Sequence, residues 1–189
     1  MNYGETIAYW YLRLNGFFLI QNFVIHRTEE IKYSSDIDIL GIRLPYVFEE
    51  VGGLKDDWDK ALLEKLNPNL ATGIICEVKT GGFEEEDLFK RERLTYCLDR
   101  FGFAPNLSNA TENIFKNSIY TGENFQIVKL FISHEKAMRE DFIQLRINDC
   151  RQFIEKRINN YKKKKWQDRL FFQSDYLGNK IDELYNKRE

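Results

Sequence analysis

Apolar residues near the start of the chain follow a helical spacing. Ile7, Tyr11 and Leu14 recur at intervals of three or four residues. This spacing predicts a helix over residues 3–15 with one apolar face. The helix is expected to end at Asn15-Gly16, because both residue types tolerate the left-handed backbone found at helix ends.

Two strands are predicted next. The stretch 17–26 is apolar and partly β-branched, and the stretch 36–42 alternates acidic and apolar residues before becoming fully apolar. Both patterns are typical of strands. Strict alternation in the second strand divides its side chains between two faces, with Asp36, Asp38 and Leu40 on one face and Ile37 and Ile39 on the other.

A third and more apolar strand, over residues 73–79, ends in two charged residues. Because alternate side chains share a face, Glu77 and Lys79 are expected to project together, while Cys76 and Val78 pack on the opposite side. An unpaired charge at a buried strand end costs roughly several kcal/mol. The two charges therefore indicate either a functional site or a buried ion pair.

The other patterns predict an α/β fold. The second and third strands are separated by an insertion at 46–70 that contains a helix over 58–66. After the third strand, the patterns predict a helix over 84–101, a loop-rich stretch at 102–122 with one helical turn near Ile114, and a strand over 125–132. The chain is then expected to form a helix over 135–160, capped by Ser133, and a last helix over 176–187. A helix separates the third and fourth strands, so these strands should be parallel. The expected core has the order α-β-β-β-α-β, with a mixed four-stranded sheet flanked by helices and a C-terminal helical extension.

Composition supports one domain. A chain of 189 residues can bury a good core, so we assign 1–132 to the core and 133–189 to an extension packed on the same domain. Three cysteines without a Cys-x-x-Cys motif argue against a disulfide framework and against a zinc site. No apolar run reaches the ~18–20 residues of a membrane helix, and no signal-peptide pattern is visible. We expect a cytoplasmic protein without a membrane partner.

Charge is unevenly distributed along the chain. The formal net charge of −2 argues against a uniformly basic nucleic-acid binder. Basic residues nevertheless predominate over 133–170, and the densest run comprises Lys162, Lys163, Lys164 and Lys165. This run can attract phosphate groups or can be a solvated helix surface, and both interpretations stay open.

Several polar residues fall at the ends of predicted elements: Glu5, Asp36 or Asp38, Glu77 and Lys79. The order of elements should gather them at one edge of the sheet. Three carboxylates with a carbonyl oxygen would suit Mg²⁺ or Mn²⁺. A lysine beside such a site can orient water and stabilise the charge of a phosphoryl group. Glu5 has a second explanation, because a helix dipole favours a carboxylate in the first turn.

These residues resemble a known signature. Asp38 and Glu77-Val78-Lys79, each with apolar neighbours, resemble the motif of the PD-(D/E)xK, or restriction-endonuclease-like, nuclease superfamily. Gly4-Glu5 on the first helix and the strand segment 36–40 are similar to those of its small stand-alone members related to Holliday-junction resolvases. The resemblance covers about residues 4–132.

The resemblance implies a role for each matching residue. Asp38 and Glu77 would bind Mg²⁺ or Mn²⁺, with the Val78 carbonyl as a further ligand. Lys79 would be the catalytic lysine, and Glu5 would be a further acid at or beside the metal. The implied activity is metal-dependent hydrolysis of phosphodiester bonds in DNA, with RNA as an open alternative.

Departures from the family pattern leave other functions open. Many relatives carry a glutamine on the helix after the lysine strand, whereas Glu92, Arg93 and Tyr96 occupy the nearest positions here. Arg93 is therefore a candidate nucleic-acid contact together with the lysine run. The alternatives are a catalytically silent nucleic-acid-binding relative and a protein-interaction subunit of a repair or defence complex. The second would dock through the helix over 135–160, and a homodimer is also an open option.

Overall fold

A six-stranded mixed sheet lies at the centre of the structure, with helices on both faces. The computed structural model describes residues 2–25, 35–48 and 57–160, and the single positions 179 and 183. The strands are β1 (Phe18–Ile25), β2 (Ser35–Arg43), β3 (Ala71–Lys79), β4 (Ile119–Thr121), β5 (Phe125–Ser133) and β6 (Ile143–Arg146). The helices are α1 (Tyr3–Leu14), α2 (Lys60–Leu63), α3 (Arg91–Phe101), α4 (Leu107–Lys116) and α5 (Ile147–Asn160), with a 3₁₀ turn at Glu85–Asp87.

The four predicted strands lie side by side in the order β1-β2-β3-β5. β1, β2 and β3 pair antiparallel, whereas β3 runs parallel to β5 from Ala71 opposite Phe125 to Lys79 opposite Ser133. The mixed α/β class and the parallel pairing of the third and fourth predicted strands are thus confirmed. Two short strands enlarge the sheet, since β4 pairs antiparallel and β6 pairs parallel with β5.

β3 is buried between two hydrophobic layers. Ile74, Cys76 and Val78 pack in the cluster that contains the apolar residues of α1 and α5. Ile75 packs in the other cluster, with residues of α3 and α4. β3 also has a strand on each side, β2 and β5. The charged residues at its end therefore project from an interior strand of the sheet.

The first helix agrees with its prediction. α1 begins after Asn2, whose side chain accepts the N–H of Glu5, and its C-terminal cap is Asn15. Gly16 follows with φ of 84°, a left-handed conformation that glycine adopts readily.

The helix predicted over 84–101 is wrong in its first half. A 3₁₀ turn is followed by irregular backbone, and α3 begins only at Arg91. Phe89 lies in this break with φ of 54°, which is unfavourable for a residue with a Cβ. Its ring is fully buried and its N–H reaches a side chain of β3, so tertiary contacts override the helical preference.

The helix predicted over 135–160 is also wrong in its first half. Ser133 belongs to β5, and its hydroxyl donates to a backbone carbonyl two residues later instead of capping a helix. Ile143 and Leu145 are both buried on one side of β6, and α5 begins only at Ile147. Alternating apolar side chains let this segment pair with β5, so the sheet continues past the expected end of the core.

Two shorter segments also differ from their predictions. The stretch 102–122 contains the ten-residue helix α4, capped by the Asn106 side chain, and the strand β4. The helix expected over 58–66 is only the single turn α2, capped by Asp59. In both cases a side-chain cap fixes where the helix starts, and the apolar spacing alone had located it poorly.

Alternation along β2 breaks at Asp38. Ile37 packs in the same hydrophobic cluster as Leu40, whereas Ile39 packs in the opposite one, so the predicted face of Ile37 is wrong. The pairing of β1 with β2 skips Asp38, and Asn22 at the corresponding place in β1 has φ of 46°. A residue with a left-handed backbone changes the local direction of its strand, so the alternation of side chains between the two faces of the sheet is interrupted there.

The lysine run Lys162–Lys165 falls outside the described residues, and so does the helix predicted over 176–187 except for positions 179 and 183, which are both helical. The side chain of Asp36 also lies outside the description. Within residues 2–25, 35–48 and 57–160, the helices are too short or too polar to cross a membrane.

Candidate functional site

The pairing between β2 and β3 ends before either strand does. Their register stops at Ile39 opposite Cys76, although β3 continues to Lys79 alongside β5. Beyond that point Oδ2 of Asp38 accepts the N–H of Val78 at 2.7 Å. A carboxylate therefore occupies the gap where a backbone carbonyl of β2 would otherwise continue the ladder.

Glu77 is the second carboxylate at this strand end, with only 2% of its side chain exposed. Its Oε1 accepts the N–H of Phe89 at 2.8 Å and lies 3.5 Å from Nη1 of Arg93. Cys76 and Val78 pack in the cluster with α1, whereas Glu77 faces the segment that leads into α3. The predicted division of these side chains between two faces is thus confirmed.

Phe89 is the site residue that sequence reasoning missed. It contributes a backbone N–H, and the residue type gives no indication of such a role because every residue except proline has this group. The acidic start of its segment also favoured a continuous helix. The only available signal was indirect. A buried carboxylate requires hydrogen-bond donors, so the burial predicted for Glu77 implied that some N–H group must approach it.

Lys79 shares a groove with Glu77, as their spacing predicted. Its Nζ lies 4.0 Å from Oδ2 of Asp38, and 37% of its side chain is exposed. The groove has a cavity volume of about 660 Å³. Its other lining residues are Gly82, Phe83, Glu84, Asp87, Lys90 and Arg93.

Glu5 lies near the site, but its carboxylate is engaged with Asn2. One oxygen accepts the Asn2 backbone N–H at 3.0 Å and the other accepts its side-chain amide at 2.6 Å, in a capping box. Gly4 permits the close approach of α1 to β3, because a Cβ there would overlap the Thr80 side chain. Glu5 is close enough for its charge to contribute to the raised pKa of Asp38.

Burial dominates the electrostatics of both carboxylates. Burial raises the pKa of Asp38, although the Val78 N–H bond and the Lys79 charge act in the opposite direction. Burial also raises the pKa of Glu77, although the Phe89 N–H bond and the nearby guanidinium of α3 lower it. The protein therefore holds two acids whose charged forms are only partly compensated, a situation that a cation would relieve.

The oxygen atoms at the strand end are of the types that a hard cation prefers. Oδ1 of Asp38 and Oε2 of Glu77 accept no hydrogen bond from any described residue. The Val78 carbonyl faces the same gap as its N–H, because both groups of a strand residue point to one side. Oxygen donors of these kinds suit Mg²⁺ and Mn²⁺.

The expected set of three carboxylates is not assembled. Within the described ranges, no group of three or more His, Cys, Asp or Glu side chains could hold a metal ion. Glu5 remains with its capping partner, so a cation would have Asp38, Glu77 and the Val78 carbonyl as its protein donors.

Of the expected nucleic-acid contacts, Arg93 lies in the described part of the chain and the lysine run does not. Arg93 lines the groove and approaches Glu77, with 22% of its side chain exposed. The lysine run Lys162–Lys165 lies beyond the described part of the chain, and its role stays a prediction.

Comparisons of the chain with protein-family models, curated proteins and solved structures found no match. The likeness to the PD-(D/E)xK superfamily therefore rests on the residues quoted from the sequence and stays a prediction.

Proposed function

We propose that this protein is a metal-dependent nuclease that hydrolyses phosphodiester bonds in DNA. The observation that carries the proposal is the presence of two carboxylates where β2 and β3 stop pairing, the buried Glu77 and the half-buried Asp38. Each carboxylate accepts a backbone N–H through one oxygen, and its other oxygen accepts no hydrogen bond from the described residues.

A purely structural ion pair explains this arrangement poorly. The Lys79 ammonium approaches Asp38 only to 4.0 Å and is partly exposed, and such pairs contribute at most about 1 kcal/mol. Burial meanwhile raises the pKa of both acids, so their charges cost stability at neutral pH. Buried charges that lower the stability of the fold in this way are typical of functional sites.

Asp38, Glu77 and the Val78 carbonyl would hold Mg²⁺ or Mn²⁺. When bound, the cation would polarise a phosphodiester oxygen and lower the pKa of a bound water. Glu77 is kept in place by the Phe89 N–H, and Asp38 is kept in place by the Val78 N–H, so neither carboxylate depends on the cation for its orientation.

Lys79, Lys90 and Arg93 line the groove with positive charge, and Lys90 is paired with Asp87. The Lys79 ammonium can donate hydrogen bonds to the phosphate and stabilise the negative charge that grows in the transition state. The guanidinium of Arg93 lies 3.5 Å from the Glu77 carboxylate. This contact is long, so the guanidinium keeps N–H donors for a phosphate oxygen. A groove of about 660 Å³ lies within the size range of ligand-binding clefts.

The test is a cleavage assay on plasmid, linear and branched DNA and on RNA, with Mg²⁺, Mn²⁺ or EDTA. Wild type should cleave in either metal and not in EDTA. Glu77→Gln and Lys79→Met should slow cleavage by roughly 10²–10³-fold. Lys116→Met is the matched control, because Lys116 is exposed and pairs with Glu112 on α4.

Wild-type rates from both site variants would refute the proposed site. DNA binding without cleavage in any metal would instead favour the silent nucleic-acid-binding relative. Cleavage of RNA alone would keep the chemistry and change the substrate class.

A further inference from the structure

Arg139 joins two irregular segments on the groove side of the sheet, one after β3 and one after β5. Its Nη1 donates to the backbone carbonyl of Glu85 and, at 3.4 Å, to that of Leu88. The Glu85 carboxylate accepts the backbone N–H groups of Arg139 and Met138. Both the backbone and the side chain of Glu85 are thus held by the segment that follows β5.

The guanidinium of Arg139 is oriented from its other side by Asp141. Nε and Nη2 donate to the two oxygens of Asp141 at 2.9 and 2.7 Å, a fork that fixes the plane of the group. Oδ2 of Asp141 also accepts Nζ of Lys129 at 2.7 Å. Lys129 is fully buried in β5 and donates to the Phe115 carbonyl at 3.0 Å, so the network is anchored in the core.

Phe89 contacts this network through its ring and through the peptide that precedes it. The Phe89 ring packs 5.4 Å from the ring of Phe142 and 5.6 Å from the Lys129 ammonium, measured to ring centroids. The preceding residue, Leu88, is held through its carbonyl by Arg139. A left-handed phenylalanine persists only where its surroundings hold it, and here both its ring and its preceding peptide are held.

We propose that Arg139 is a positioning residue for Glu77. With Glu85, Asp141 and Lys129 it forms a clamp, which we call the Arg139 clamp, that keeps the Phe89 N–H on the Glu77 carboxylate. Arg139 neither contacts Glu77 nor lines the groove. The effect on catalysis rests on the proposed nuclease function, whereas the effect on the Phe89 hydrogen bond does not.

The clamp is expected to act locally. It ties the segment after β3 to the segment after β5, and it makes none of the ladder bonds of β3. Losing it should free the Phe89 N–H without opening the sheet. A role limited to general stability would instead loosen β3 and Phe89 together.

Residue-resolved amide hydrogen exchange by NMR on the full chain tests this directly. In Arg139→Met, the Phe89 N–H should exchange about 10-fold faster or more, while the amides of β3 keep their wild-type rates. Arg91→Met is the matched control, because Arg91 forms an exposed pair with Glu112 and should change neither rate. Glu85→Gln, a milder change, should accelerate Phe89 exchange in the same direction.

Calorimetric titration with Mn²⁺ supplies the second readout. Loss of a group that orients a metal ligand commonly weakens metal affinity by roughly 10–100-fold, and the same loss is expected for Arg139→Met. In the cleavage assay, kcat should fall while KM stays near the wild-type value, since Arg139 is not in the groove.

Unchanged Phe89 exchange in both clamp variants would overturn the proposal, as would parallel acceleration of Phe89 and all of β3. If wild type neither binds Mn²⁺ nor cleaves nucleic acid, the nuclease proposal fails, and the exchange result still decides the clamp. Accelerated Phe89 exchange with wild-type Mn²⁺ affinity would overturn the positioning role.

Discussion

Replacing Asp38 with asparagine separates the structural role of this residue from its proposed role in binding a cation. The amide oxygen of asparagine can still accept the Val78 N–H that Asp38 accepts at 2.7 Å, so the gap between β2 and β3 stays bridged. The change removes one negative charge and little volume. We therefore expect Asp38→Asn to fold normally.

The stability terms can be ranked from the contacts. Exchanging a charge-assisted hydrogen bond for a neutral one costs about 1 kcal/mol, and losing the long, partly exposed pair with Lys79 costs at most about 1 kcal/mol. Against these stands the burial of the charge, and the raised pKa of Asp38 shows that burial outweighs both. Asp38→Asn should therefore keep or raise the melting temperature in EDTA.

A cation should reverse this ranking for the wild type. At a Mn²⁺ concentration of about 100 times Kd, binding stabilises the native state by about 2.7 kcal/mol. For a chain of this size that amounts to a rise of roughly 5–11 °C in Tm. Asp38→Asn should lose most of that rise, and its cleavage rate should fall by roughly 10²–10³-fold.

Thermal unfolding with and without Mn²⁺, together with calorimetric titration, measures these effects. Asp36→Asn is the matched variant, because it removes the same charge two residues earlier in β2, and it should keep measurable activity. A full Mn²⁺ shift in Asp38→Asn and none in Asp36→Asn would move the site by two residues along the strand and refute the assignment.

The remaining predictions concern pH and salt. Because burial raises the pKa of Asp38 and Glu77, the native state keeps protons that the unfolded chain has released. The contribution of these two acids to the stability of the apo protein should therefore fall as the pH rises from about 4 through their raised pKa values. Hydrogen bonds from basic side chains lower the pKa of Asp87, Glu112 and, despite its burial, Asp141, and these groups act in the opposite direction. The effect is therefore measured as the difference in thermal unfolding in EDTA between wild type and the Asp38→Asn/Glu77→Gln double variant, and a difference that does not change with pH would contradict it. Replacing Lys162–Lys165 with glutamine should reduce the slope of log affinity against log salt by about 0.9 per lost DNA contact. An unchanged slope would identify the run as solvated surface.

The long elements could be predicted because their burial is regular. The helical spacing of Ile7 and Tyr11 matches a helix packed on one side, and the unbroken apolar run of β3 matches a strand covered on both faces. The short strand β6 could not be found in this way. Ile143 and Leu145 lie among apolar residues that also fit a helix, and only the partner strand β5 decides between the two.

The site could be predicted to the level of shared faces but not of individual bonds. Glu77 and Lys79 line one groove because they are two residues apart on a strand. The engagement of Glu5 was visible in principle, since an asparagine three residues before a glutamate is typical of a capping box. The Phe89 N–H was not visible, because tertiary contacts impose its left-handed backbone.

The parallel pairing of β3 with β5 has a consequence for dissecting the molecule. Every residue proposed to hold a cation lies before position 80, yet the strand that completes the support of β3 begins at Phe125. A fragment chosen to contain the motif alone would leave a long apolar strand with an open edge, which is a template for aggregation. The proposed cation ligands lie in the first half of the chain, but the strand that covers the edge of β3 comes from the second half.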